Sequence, residues 1–147
     1  MEKKLIKLSD RSILQVEGKD SEKFLQGIVT CNVEKIANKS SYGSILTPQG
    51  KLLYDFIIQR QNDNFLIDIY KSSIDDFIKL LNIYKLRSDI KLIKREDLSV
   101  FVDLNYKHHD NEDIDPRLAL IGLRKILDSD YEYSSDEKIL YEKRLIK

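Results

Sequence analysis

The sequence predicts an α+β domain of antiparallel sheets with a few packing helices. Three observations predict it. Short segments of alternating apolar and polar residues, closed by turn residues, recur along the 147 residues. One of them holds a Pro–Gly hairpin turn between two apolar runs. Helical spacing is confined to a few segments set among these strands, which is the pattern of an α+β fold.

Leu5–Leu8 and Ser12–Val16 read as the first two strands, with Ser9-Asp10-Arg11 as the turn between them. Gly18-Lys19-Asp20 breaks the second strand, and Asp20 is expected to cap a short helix over Ser21–Gln26 by accepting from free N–H groups. That helix turns Phe24, Leu25 and Ile28 inward, and Gly27 is expected as its left-handed stop. The clearest hairpin joins Tyr42–Leu46 to Leu52–Ile58 through Thr47-Pro48-Gln49-Gly50-Lys51. Pro presets the turn angle and Gly tolerates positive φ. A second turn at Gln61–Asn64 leads into Phe65–Ile69, completing three antiparallel strands in a row.

Ser73–Lys85 is the strongest helix. Ser73 is its expected cap, Asp75 and Asp76 occupy the first turn, and Lys85 lies at the end, all matching the helix dipole. Ile74, Phe77, Ile78, Leu81 and Tyr84 form one face that should pack on the sheet. Ile90–Ile93 and Ser99–Asp103 read as two further strands, 106–115 as a polar loop, Arg117–Ile126 as an apolar strand and Ser134–Leu145 as a closing helix. The whole of 1–147 reads as one domain, with a possible subdomain boundary near 96–98.

Composition excludes several functions. With 25 basic and 25 acidic side chains the formal charge is zero, so the chain lacks the field for generic nucleic-acid binding. Hydrophobic content of 41% is too high for a disordered chain. The most apolar run, Leu118–Leu123, is far short of a membrane span, and Met1-Glu2-Lys3-Lys4 does not open a secretory signal. A single cysteine permits no internal disulfide, and these features together imply a soluble protein of a reducing compartment, the cytoplasm.

No motif declares an active site. His108-His109 sits near Asp110, Glu112, Asp113 and Asp115, yet adjacent histidines in an extended loop point opposite ways, so a solvated loop is expected and no tightly bound metal. Cys31 has no basic cluster beside it in sequence and reads as an inert thiol. Asp75-Asp76 is explained by the helix dipole. P-loop, dinucleotide-binding, nucleophile-elbow and zinc-protease motifs are absent, and no catalytic residue is assigned.

The stretch Gly18-Lys19-Asp20-Ser21-Glu22-Lys23-Phe24-Leu25-Gln26-Gly27-Ile28-Val29-Thr30-Cys31-Asn32-Val33 resembles the corresponding segment of the YgfZ family, the iron–sulfur-related branch of the glycine-cleavage T-protein superfamily. The Tyr42–Lys51 hairpin, Leu86-Arg87-Ser88-Asp89-Ile90, Asp115-Pro116-Arg117 with Gly122-Leu123-Arg124, and Tyr141-Glu142-Lys143-Arg144-Leu145 resemble further family motifs in the right order. The resemblance implies a T-protein-type folate-binding domain. It implies an accessory protein that binds tetrahydrofolate or a one-carbon derivative and acts in assembling or maintaining iron–sulfur enzymes. Among these are radical enzymes that modify tRNA, so tRNA modification is touched indirectly, with no direct nucleic-acid contact. Client or assembly proteins are the implied partners, and no membrane is.

Two departures accompany it. The family hallmark K-G-C-Y-x-G-Q-E does not occur, and Cys31 does not stand in for its cysteine. The chain thus resembles the N-terminal portion of a longer protein, with a separately encoded C-terminal half as a possible partner. Second, aminomethyltransferases carry an Asp pair after the hairpin, one of which contacts the folate, whereas the aligned pair here is Tyr54-Asp55. That speaks against glycine-cleavage chemistry, which stands as the alternative beside a non-catalytic interaction module with an exposed apolar patch. Any catalysis would be folate-dependent one-carbon transfer. The residues implied to contact folate are Arg11, Tyr54, Asp55 and Arg124, and of the neighbours Tyr54 and Asp55 only one can face a cleft.

Overall fold

A computed structural model describes residues 5–37, 39–103 and 123–130. The expected loop at 106–115, the closing helix at 134–145, His108-His109 and the Asp115 and Tyr141 motifs lie outside the described residues. Eight strands are described: β1 (Ile6–Leu8), β2 (Arg11–Glu17), β3 (Ser41–Leu46), β4 (Leu52–Gln61), β5 (Asn64–Tyr70), β6 (Lys91–Lys94), β7 (Leu98–Asp103) and β8 (Leu123–Asp128). Two α-helices, α1 (Ser21–Ile28) and α2 (Ile74–Lys85), and a short 3-10 turn at Val33–Lys35 complete the set.

The strands form two antiparallel sheets, one ordered β3-β4-β5-β2-β6 and the other β1-β7-β8. Strand alternation gives the larger sheet two distinct faces. Leu14, Val16, Phe56, Ile58, Phe65, Ile67 and Ile69 point to the helix side, where Phe24, Leu25, Ile74, Phe77 and Leu81 meet them in one buried cluster. Ile13 and Leu66 point the other way and pack against Ile6, Leu8, Val100 and Val102 of the smaller sheet. The layers are therefore helices, five-stranded sheet and three-stranded sheet. The chain changes sheets between β1 and β2 and again between β6 and β7.

Within the described residues the expected elements recur with shifted ends, and of the strand expected over 117–126 only the part from Leu123 is described. Arg11 opens β2 instead of closing the turn, because it pairs with Tyr70 across the β2–β5 ladder. The Thr47–Lys51 turn closes through Gly50 N–H donating to Thr47 O at 2.8 Å, with Gly50 at φ +85°. The α2 face is buried at Ile74, Phe77 and Leu81, but Tyr84 is exposed.

Three helix-end expectations are corrected. Gly27 lies inside α1 and is not a left-handed stop; the chain leaves the helix through Val29 in extended conformation. Ser73 stands at the N-cap of α2 without a side-chain cap bond, and its carbonyl accepts from Phe77 N–H at 2.9 Å. Asp20 likewise does not cap α1 with its side chain. Its carboxylate accepts from the N–H of Asp89 at 2.7 Å, while its own N–H donates to Asp89 O at 3.2 Å.

This exchange straps the start of α1 to the residues after α2, and it explains Gly18. A Cβ there would lie 2.3 Å from Asp89 O, and the residue has φ +119°. Gly18→Ala should therefore cost about 2–3 kcal/mol, from the disfavoured φ and the clash with backbone. Urea unfolding checks this, and an unchanged midpoint would mean that the two segments are not held together.

Some apolar residues remain outside the layers. Leu46, Leu52 and Leu53 are exposed around the β3–β4 hairpin, as are Ile83 and Leu86 at the end of α2. Among the described residues no helix is long and apolar enough to cross a membrane.

Candidate functional site

The second face of the five-stranded sheet collects most of the polar residues singled out above. Directly opposed residues share a face. Ile57 opposes Asp68 and Tyr42, and Arg11 opposes Tyr70. By alternation Asp55, Asp68, Tyr70 and Arg11 therefore lie on one face. Strand geometry separates the Cα atoms of Asp55 and Asp68 by roughly 8 Å.

Asp68 is the centre of this face, and it is buried. Arg11 donates from Nε to its Oδ1 at 2.7 Å and from Nη2 to its backbone carbonyl at 2.7 Å. Arg124 of β8 donates from Nε to Oδ2 at 2.6 Å and from Nη2 to Oδ1 at 3.2 Å. The side chains of Arg11 and Arg124 are only 6% and 5% exposed, so both charges are desolvated with their partner. Burial pushes the Asp68 carboxyl up, but the Arg124 and Arg11 guanidinium groups and their hydrogen bonds outweigh it and hold it below its ordinary value. Arg11 also lies over the Tyr70 ring, 4.4 Å from its centroid.

The structure thus brings together Arg11 and Arg124, 113 residues apart in sequence, on a carboxylate that sequence reasoning passed over. Asp68 sits in Phe65-Leu66-Ile67-Asp68-Ile69, where alternation alone would make it a solvent-facing residue. A signal existed: Leu66, on the same face, is as apolar as its neighbours, which marks that face as covered.

Tyr54 and Asp55 part company as strand neighbours must. Tyr54 turns to the helix side and meets Phe77 edge-on at 5.3 Å. It does not join Arg11, Asp55 and Arg124. Asp55 is half-buried and accepts from Tyr42 Oη at 2.7 Å. Tyr42 and Tyr70 each keep 42% of their surface exposed. The face therefore offers a carboxylate acceptor, Asp55, held by the Tyr42 hydroxyl. Such an acceptor suits a planar group whose edge carries N–H donors.

Cys31 is half-buried; burial raises its thiol pKa against a smaller opposing hydrogen bond from Ser41. Its Sγ would lie 2.9 Å from a Cβ at Gly43, so it fills the space that glycine leaves. Among the described residues no group of three His, Cys, Asp or Glu side chains is placed to hold a metal ion.

The layered architecture is that of the glycine-cleavage T-protein fold. The solved structure of the glycine cleavage system aminomethyltransferase T from Bartonella henselae matches with a TM-score of 0.60 over 67% of this chain and 27% of that one, at 18% identity. In sequence, the chain is similar to the mitochondrial iron–sulfur cluster assembly factor IBA57 homologue of Mycosarcoma maydis, at 30% identity over 84% of this chain and 36% of the relative. The IBA57 homologue of Neurospora crassa is 32% identical over 69% of this chain and 25% of the relative. That of Dictyostelium discoideum is 25% identical over 95% and 45%. No family model matches. The chain thus spans from a quarter to under half of the length of these curated relatives. Their names are all mitochondrial, which overturns the cytoplasmic placement expected from composition.

Proposed function

We propose that this chain is a folate-accepting module acting in iron–sulfur cluster assembly, and that it contacts the assembly machinery or its client enzymes. The single observation that carries the reading is the similarity, running through 84% and 95% of the chain, to proteins named iron–sulfur cluster assembly factors. The T-protein fold and the Asp55–Tyr42 face support the folate part. The finer placement in the YgfZ branch, with tRNA-modifying radical enzymes among the clients, rests on the motifs from Gly18 to Val33 and in the Tyr42–Lys51 hairpin.

Within this reading each residue has a distinct task. Asp55 accepts from the N–H edge of the pterin, with Tyr42 holding its carboxylate in place. Arg11 and Arg124 do not reach for ligand carboxylates with the atoms that Asp68 occupies; they position the sheet face instead. Tyr54 supports β4 from the helix side.

Calorimetry with tetrahydrofolate tests the proposal. Binding is expected, and Asp55→Ala should weaken it about tenfold or more, the loss of one charge-assisted hydrogen bond, with the fold retained. No heat from a folded sample at millimolar folate would remove the folate part of the reading.

A further inference from the structure

We propose a second binding site, sharing only Arg11 with the face described above: a cationic groove at the seam of the two sheets that takes a small anion bearing two or more carboxylate or phosphate groups. The groove has a volume of about 370 Å³ and is lined by Lys7, Arg11, Lys71, Lys94 and Arg95 against a single acidic residue, Glu96. Serine hydroxyls, among them Ser99 and Ser129, fill the intervals. Arg11, Lys94 and Arg95 are each paired with a carboxylate and Lys7 donates to Ser129 O at 2.8 Å, so the groove carries a modest positive excess in a chain of zero formal charge. The volume is within the range of small-molecule sites.

Topology makes the cluster. Lys7 comes from β1, Arg11 from the start of β2, Lys71 from just after β5, Lys94 from the end of β6 and Arg95 from just after it. These strand ends converge where the chain passes between sheets. Arg11 is held by Asp68, so its charge is fixed in place beside the groove. Arg95 is oriented by Gln15 and by Asp97, the latter at 2.8 Å, and Lys94 by Asp75 at 3.2 Å. The carboxylates of Asp97 and Asp75 are 62% and 76% exposed, and such solvated pairs are weak. A ligand with two or more charges competes with them, because it engages several cations at once in a partly desolvated site. Lys71 is exposed at the rim.

Two sources share this chemistry: an oligocarboxylate such as a γ-linked glutamate chain, and a free di- or triphosphate. Calorimetry on the full chain with γ-linked triglutamate in one arm and inorganic pyrophosphate in the other distinguishes them. Binding is expected in at least one arm. The double substitution Lys71→Glu with Lys94→Gln should weaken it about tenfold or more, while Lys85→Glu, in the groove beside α1, should leave it unchanged. Amide shifts of the unsubstituted protein provide a second readout that does not depend on the variants folding: residues 7–12, 71, 94–99 and 129 should move. No binding in either arm, equal weakening by Lys85→Glu, or shifts confined elsewhere would overturn the proposal. Neither probe contains a pterin, so a failure of tetrahydrofolate to bind leaves this test unaffected.

Discussion

Asp68→Asn is expected to destabilise the protein by about 3–5 kcal/mol, the usual cost of leaving buried charge without its partner. The substitution is nearly isosteric, so little packing is lost. What changes is that Arg11 and Arg124, each about one-twentieth exposed, keep their charges in a desolvated site with only an amide oxygen between them. A contrasting variant separates charge from shape. Replacing all three residues together by Met, Leu and Leu removes the charges as a set and should cost far less than the single change, or nothing. Chemical denaturation measures both, and a single-variant loss under about 1 kcal/mol would show that the cluster is solvated.

The same group gives a pH dependence with a definite sign. Its carboxyl binds protons less readily folded than unfolded. Its stabilising effect is therefore complete above the unfolded value, roughly 3.9, and drains away as pH falls below that through the folded value. The Asn variant should lack this part of the acid sensitivity, so the two denaturation curves converge as pH drops. Parallel curves between neutrality and pH 3 would contradict the pairing.

Phe77→Ala carries the other large effect, about 3–5 kcal/mol. Its ring is fully buried, edge-on to Tyr54 at 5.3 Å and tilted against Phe56 at 5.6 Å. Through these two rings it joins α2 to β4. Truncation removes the transfer energy and leaves a cavity between two layers that are already braced elsewhere, so collapse is incomplete. Phe77→Leu should recover most of the loss because volume is nearly restored. Thermal melts check both, and a loss near 1 kcal/mol for the alanine variant would mean that α2 relaxes into the gap.

The fold was legible in the sequence where a local rule decides. Pro48 and Gly50 placed the hairpin, and the spacing of Ile74, Phe77 and Leu81 placed α2 with its buried face. Helix ends were less legible, because Asp20 had two acceptable uses for its carboxylate and took the long-range one with Asp89. The site was half legible. Arg11 and Arg124 stand out in the sequence as folate-contact candidates, but their shared partner Asp68 does not: the apolar Leu66 on its face hints that the face is covered without saying which cations come with the cover. Tyr54 and Asp55 could not be told apart from sequence, because which side of β4 the helices cover is settled by tertiary packing.

The spacing of the buried trio also orders events during synthesis. Asp68 leaves the ribosome 57 residues after Arg11, and Arg124 emerges 56 residues later still. A nascent chain that has completed β6 already owns every strand of the larger sheet and the Arg11–Asp68 pair, while the second guanidinium, Arg124, arrives only with β8. The cover of that face comes from β1, β7 and β8, so it is complete only after every strand of the larger sheet has been made.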